Sequence, residues 1–201
     1  MNDPQQQQKK NRRTIVILAS MSIIPFTIAW LLTKNPEFRP KSTHNGDLIV
    51  PVMTTERSEL QGIDDFSIKN IDELKGHWVM LNIINSQDCN KVCADAIHAT
   101  RQLRLMLNKD LTRVRRAVIV VDGLQQDAFQ AWWKEDDRLI KVKPDDAMMK
   151  KLTTISQGDI KEGMLIIMDP LGNLMMQYPV GFDPYDVKRD LKKLLRISQI
   201  G

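Results

Sequence analysis

Residues Thr14–Leu32, TIVILASMSIIPFTIAWLL, run 19 positions without a charge. A helix rises about 1.5 Å per residue, so this stretch crosses roughly 28 Å, close to the thickness of a bilayer's hydrocarbon layer. In lipid a segment must satisfy its own backbone polar groups, which restricts this part of the chain to a helix and predicts a single transmembrane anchor. Pro25 is compatible with that, because a kinked helix in lipid re-satisfies the freed carbonyl locally. A cleaved signal peptide needs an apolar core of only about 7 to 15 residues and a small-x-small cleavage site. Here the segment ends AWLLTKNPEF, so it reads as an uncleaved anchor with Trp30 at the interface. Lys9, Lys10, Arg12 and Arg13 precede it, whereas the far flank holds the sparser Lys34, Arg39 and Lys41. The positive-inside rule then puts the N-terminus in the cytoplasm and everything beyond Leu32 outside.

The formal net charge is +4, and Met1–Arg13, with four Lys/Arg and one Asp, holds +3 of it, which leaves +1 for the remainder. Nothing in a near-neutral outer domain suggests a nucleic-acid surface, and the basic tail reads as a topology signal rather than a binding arm. The sequence therefore divides into a cytoplasmic basic tail (1–13), a transmembrane helix (14–32), an extended spacer (33–46) and a folded domain (47–201). Thr33–Val52 carries three prolines and no helical period, as a spacer does.

Within the domain, HWVMLNIIN (His77–Asn85) and RAVIVVD (Arg116–Asp122) are apolar runs suited to strands buried on both faces. Between them ADAIHATRQLRLMLNKD has Ala96, Ala99, Leu103 and Met106 at helical spacing. QQDAFQAWWKED and PDDAMMKKLTTIS read as two short helices, the second with Pro144 in its first turn. GMLIIMD and LMMQYPV flank the turn PLGN as a hairpin. Asp183 caps a last helix whose first position is Pro184 and whose buried stripe is Val187, Leu191, Leu194 and Leu195. A β-α-β unit followed by a hairpin and a helix is the thioredoxin arrangement: an α/β fold with a central mixed sheet and helices on both faces.

The chain's two cysteines, Cys89 and Cys93, fall between the first core strand and the first helix of that unit. Two residues four apart inside a regular helix hold their Cβ atoms about 5 to 6 Å apart, beyond the roughly 3.5 to 4.5 Å of a disulfide. Pairing thus requires Cys89 in the loop and Cys93 in the first helical turn, where unpaired N–H groups and the helix dipole favour a thiolate at Cys89. The pair is a structural staple, a redox couple, a metal-binding pair or two inert thiols. A staple closing so few residues removes little unfolded-chain entropy, and a closed zinc site lacks its other two ligands. Of Trp132 and Trp133, adjacent on a short helix, one faces outward, as a docking anchor or as a rim residue.

CNKVC after HWVMLNIIN, on an N-terminal anchor and with LIIMDPLGNL further on, resembles the Sco/SenC family of membrane-anchored thioredoxin-fold proteins. Their C-x-x-x-C pair and one distant histidine bind copper during cytochrome c oxidase assembly, and the similarity spans Asp47 to Ser198. The resemblance implies that Cys89 and Cys93 are the redox-active residues and the copper ligands. The family's histidine has no counterpart: Lys161 falls at about its position, and no histidine follows His98. His44 lies in the spacer, His77 opens a strand, and His98 is off the apolar stripe. Met164 offers a thioether suited to Cu(I), or is core filler. The expected protein is thus a divergent member with a weak or absent third copper ligand. It would be an assembly factor in the bacterial inner membrane, its domain in the periplasm, acting on an oxidase subunit or other assembly factors through copper delivery or thiol redox control. The alternatives are an envelope thiol-disulfide oxidoreductase, in which Cys89 attacks and Cys93 resolves, and a non-catalytic scaffold. Against the enzyme, KEGMLII lacks the proline that thioredoxin-like enzymes place before the facing strand.

Overall fold

The computed structural model describes residues 4–35, 43–85, 89–121, 136–198 and 200, and the chain divides into two compact units, Met1–Thr43 and His44–Gly201. The first unit is the helix α1 (Pro4–Lys34), which runs through Pro25. It extends past the uncharged segment at both ends, so the basic tail is helical from Pro4 onward. Its stretch Gln8–Lys34 is long and apolar enough to cross a membrane, and Met21 and Phe26 on it are 76% and 79% exposed. The hydroxyls of Thr14, Ser20, Ser22, Thr27 and Thr33 each donate to a carbonyl three or four residues back. That satisfies them within the helix, as lipid requires.

The second unit is built on seven strands: β1 (Asp47–Thr54), β2 (Leu60–Gly62), β3 (Trp78–Ile84), β4 (Val114–Val120), β5 (Ile140–Pro144), β6 (Leu165–Met168) and β7 (Asn173–Tyr178). They form one mixed sheet in the order β1-β7-β6-β3-β4-β5-β2. β3, β4 and β5 run parallel, while the hairpin β6–β7 and the edge strands β1 and β2 pair antiparallel. Among the described residues four α-helices cover it: α2 (Asp65–Asn70), α3 (Lys91–Leu105), α4 (Asp146–Ile155) and α5 (Pro184–Ile197).

All seven residues of β3 are buried. Val79, Leu81 and Ile83 face one way, into a core shared with Leu74, Met148, Leu152 and Ile155. Trp78 and Met80 face the other, against Leu103, Leu107, Val187, Leu191 and Leu195. The continuous apolar run is thus the signature of a strand sandwiched between helices. α5 follows the sequence reading at its start and along most of its stripe: Asp183 accepts from Tyr185 N, Pro184 opens the helix, and Val187, Leu191 and Leu195 are buried, whereas Leu194 is only half-buried. The fourth residue that α5 buries is Asp190, 2% exposed. Its carboxylate accepts from the backbone N–H groups of Asn45 (2.6 Å) and Gly46 (3.1 Å) and from the Tyr178 hydroxyl (3.1 Å), clasping the start of the unit to its last helix. A Cβ at Gly46 would stand 2.6 Å from the Tyr178 ring, so the clasp requires glycine there.

Several elements differ from expectation. Residues 47–52, taken into the proline-rich stretch, belong to β1, and His44–Gly46 join the folded unit. Pro51 is accommodated because β1 is an edge strand. β5 was not expected, and Pro144 is its last residue, while Asp145 caps α4 by accepting from Met148 N. α3 begins earlier than expected and buries Cys93, Ala96, Ile97, Thr100 and Leu103, leaving Ala99 and Met106 half-buried. The helix expected over QQDAFQAWWKED, with Trp132 and Trp133, lies outside the described residues.

Candidate functional site

β3 carries the chain through the middle of the sheet and releases it at Asn85, whose side-chain amide donates to Ile160 O at 2.7 Å. Asn90 caps α3: its side-chain oxygen accepts from Cys93 N at 3.1 Å, and Ala94 N donates to its carbonyl. Cys89 is therefore in the loop and Cys93 in the first turn, the arrangement that the four-residue spacing demands, and the two form a disulfide with Cα atoms 5.3 Å apart. Cys93 is 1% exposed and packs with Ile84, Ile97, Val118, Val120 and Leu139, whereas Cys89 is half-buried against the same cluster.

A second segment reaches this helix end. Gly163 N donates to Ile83 O at 3.0 Å and Ile83 N to Met164 O at 3.1 Å, which pins the residues before β6 beside the end of β3. Gly163 has φ +82°, and a Cβ there would sit 3.1 Å from Val92 Cγ1, so glycine permits both the turn and the approach to the first turn of α3. The approach delivers Glu162: its carboxylate and the two cysteine sulfurs all lie within 4.8 Å of one another. Asn90 Nδ2 donates to Glu162 Oε2 at 3.3 Å, so one asparagine both caps the helix and orients the acid.

Glu162 is the neighbour that the sequence did not reveal; a Lys161-centred alignment misses it by one residue. Lys161 is exposed and lines a separate small cleft with Ser156, Gln157 and Tyr178. Met164 is 6% exposed and belongs to the main core, the filler role. His98 is exposed, His77 has Nδ1 3.3 Å from Lys75 O, and His44 has Nδ1 2.6 Å from Gly46 O. Among the described residues, no histidine joins the cysteine group.

Two fields act on the pair once it is reduced. The N-terminus of α3 favours thiolates, and the Glu162 carboxylate disfavours them. In the disulfide neither sulfur is available to a metal. Gain of two electrons and ionisation of both thiols gives two soft donors suited to Cu(I), whereas the carboxylate oxygen is a hard donor that suits it poorly. The residues thus fit a two-sulfur copper ion with an adjacent negative charge.

Residues 78–198 match the sequence profile of the family described as transmembrane-like, thioredoxin-like, C-terminal domain. No curated protein matches. Sco proteins stand among the similar solved structures. The apo Sco1 of Thermus thermophilus has a TM-score of 0.54 at 13% identity, over 78% of this chain and 99% of that one. Copper-bound ScoI of Bradyrhizobium japonicum has a TM-score of 0.45 at 19% identity, over 61% and 87%. The thioredoxin domain of a Bacteroides vulgatus thiol-disulfide oxidoreductase has 0.45 at 16%, over 76% and 99%. The Thermus likeness establishes the thioredoxin-like fold.

Proposed function

The chain belongs to the family of transmembrane-like, thioredoxin-like C-terminal domains, and on that footing we propose that it is a membrane-tethered thiol protein of Sco type, serving the assembly of cytochrome c oxidase through Cys89 and Cys93. The observation that carries the reading is the redox-competent pair at the start of α3, one sulfur half-buried and the other enclosed. α1 supplies the tether, and the flanking charges favour a domain on the non-cytoplasmic side, which in a bacterial inner membrane is the periplasm.

The reduced pair performs either of two steps. It holds one Cu(I) between two thiolates as cargo for an oxidase subunit. Alternatively, Cys89 Sγ attacks a disulfide of that subunit, forming a mixed disulfide and expelling one thiolate; Cys93 Sγ then attacks Cys89 Sγ, closes the internal disulfide and releases the second. In that exchange the target gains two electrons and the pair loses two, and an external dithiol returns the pair to the thiol state. Copper transfer is the favoured step, because three residues separate the cysteines and Gly163, not proline, precedes Met164 and β6.

Titrating the reduced protein with Cu(I) against a competing chelator tests this. One equivalent is expected, lost in Cys89→Ser. Glu162→His should tighten binding by exchanging a hard oxygen for an imidazole beside the sulfurs, while Lys161→His should leave it unchanged. Turnover of disulfide substrates with no copper bound would establish the oxidoreductase instead, and absence of both activities would leave a scaffold.

A further inference from the structure

Ten arginines follow the anchor, and five of them, Arg101, Arg104, Arg115, Arg116 and Arg138, line one cleft of about 660 Å³. The cleft lies at the C-terminal end of α3, roughly 15 Å along the helix axis from the disulfide at its start. Three carboxylates, Glu73, Asp136 and Asp137, share it, so among the described residues it carries two positive charges in excess. This concentration stands on a chain that is near neutral beyond its basic tail.

Part of the charge is spoken for. Arg116, 5% exposed, pairs with Asp136 at 2.6 Å and donates to Ile97 O at 2.9 Å. Arg115 pairs with Glu73 and donates to Thr112 O. Arg104 uses Nε on Val114 O at 2.8 Å, and no other bond of its guanidinium occurs among the described residues. Arg101 and Arg138 have no side-chain partner among them. The cationic state of Arg104 is disfavoured by its burial and then by Arg115, Arg116 and Arg138. Such crowding is relieved by an anion, and guanidinium forks match the oxygens of phosphate and carboxylate groups two at a time. The rest of the described wall combines the polar Asn70 and Thr112 with an apolar side, on which Phe66 and Leu111 are half-buried and Leu105 is 55% exposed.

We propose that this cleft binds a small organic dianion, of the phosphate-monoester or dicarboxylate class, held by Arg101, Arg104 and Arg138 with its carbon skeleton against Leu105 and Phe66. Two charges match the excess, and the volume falls within the roughly 300 to 1,000 Å³ of small-ligand sites. The inference is independent of the copper and thiol reading.

The test is calorimetric titration of the full chain in neutral-lipid nanodiscs with glycerol 3-phosphate and with succinate, glycerol serving as the uncharged control. Saturable one-to-one binding of at least one dianion is expected, weakening with salt. Arg101→Ala combined with Arg138→Ala should weaken it at least about tenfold, since charge-assisted bonds are lost. Arg196→Ala, an exposed arginine on α5, should not change it. Leu105→Glu, at an exposed position, should block binding by repulsion and covers the case of a misfolded arginine variant. No saturable binding, binding insensitive to these changes, or binding confined to nanodiscs of anionic lipid would each overturn the assignment.

Discussion

At the scale of single residues, the two sulfurs differ by burial, which sets their reactivity. After mild reduction Cys89, half-buried at the loop, should alkylate faster than Cys93, enclosed by Ile84, Ile97 and Val118; mass-resolved labelling rates read this, and a faster Cys93 would reverse the assigned roles. Reduction itself should cost about 2 kcal/mol or less, because so short a loop gives little closure entropy, and paired thermal melts measure it. The Glu162 carboxylate opposes ionisation of both thiols, so Glu162→Gln should favour the thiolate form, raise the reduction potential and speed alkylation of Cys89 near neutral pH. Redox titration against a glutathione series checks the sign. The pair was legible in the sequence because the spacing permits a bridge only across a loop–helix junction. Glu162 was not, because its approach depends on a left-handed glycine and on register between β3 and the residues before β6, neither of which shows in local composition.

At the scale of elements, strands and helices with unbroken apolar patterns were readable, and those stabilised by ion pairs were not. β5 reads IKVKP, and its lysines disguise a buried strand. Lys141 is 8% exposed because Asp64 meets its ammonium at 2.6 Å, and its backbone N–H donates to the buried Ser67 hydroxyl. Asp64 also caps α2 through Ser67 N. Burial alone would raise its pKa, but the bonds from Lys141 and Ser67 outweigh that and hold it below the usual carboxylate range. A depressed folded value means the contribution is complete above the unfolded value near pH 4 and is lost as pH falls through the folded one. Asp64→Asn should therefore flatten the acid limb of a urea-stability profile; an unaltered limb would show that Asp64 plays no part in it. On the α3 side, Asn82 and Thr100 are buried, Thr100 Oγ1 lies 2.8 Å from Asn82 Oδ1, and Arg116 donates to Thr100 and to Asp136. Asp136→Ala leaves a buried guanidinium uncompensated and should cost about 3 to 5 kcal/mol in urea unfolding. Replacing Arg116 and Asp136 together by apolar residues should recover most of it.

At the scale of the whole molecule, the order of apolar runs was enough to specify the thioredoxin-like plan, and the uncharged segment enough to mark one helix long and apolar enough to cross a membrane. The edges of the sheet escaped, since β1 contains a proline and β2 spans only Leu60–Gly62, too little for a periodic signal. The full chain should resist carbonate extraction from membranes, and a chain beginning at His44 should be released as a folded soluble domain. Protease added to right-side-out vesicles should digest residues after the anchor; full protection would invert the topology. The Asp190 clasp has a mechanical meaning for a tethered domain. Whenever the tether is stretched, tension enters the folded unit at Asn45 and Gly46 and meets the clasp before β1, so a carboxylate on the last helix shields the edge of the sheet from being peeled. In single-molecule pulling from the N-terminus, Asp190→Ala should lower the rupture force and let β1 strip from β7 first, so the reach of the tether would lengthen under load by the span of one strand.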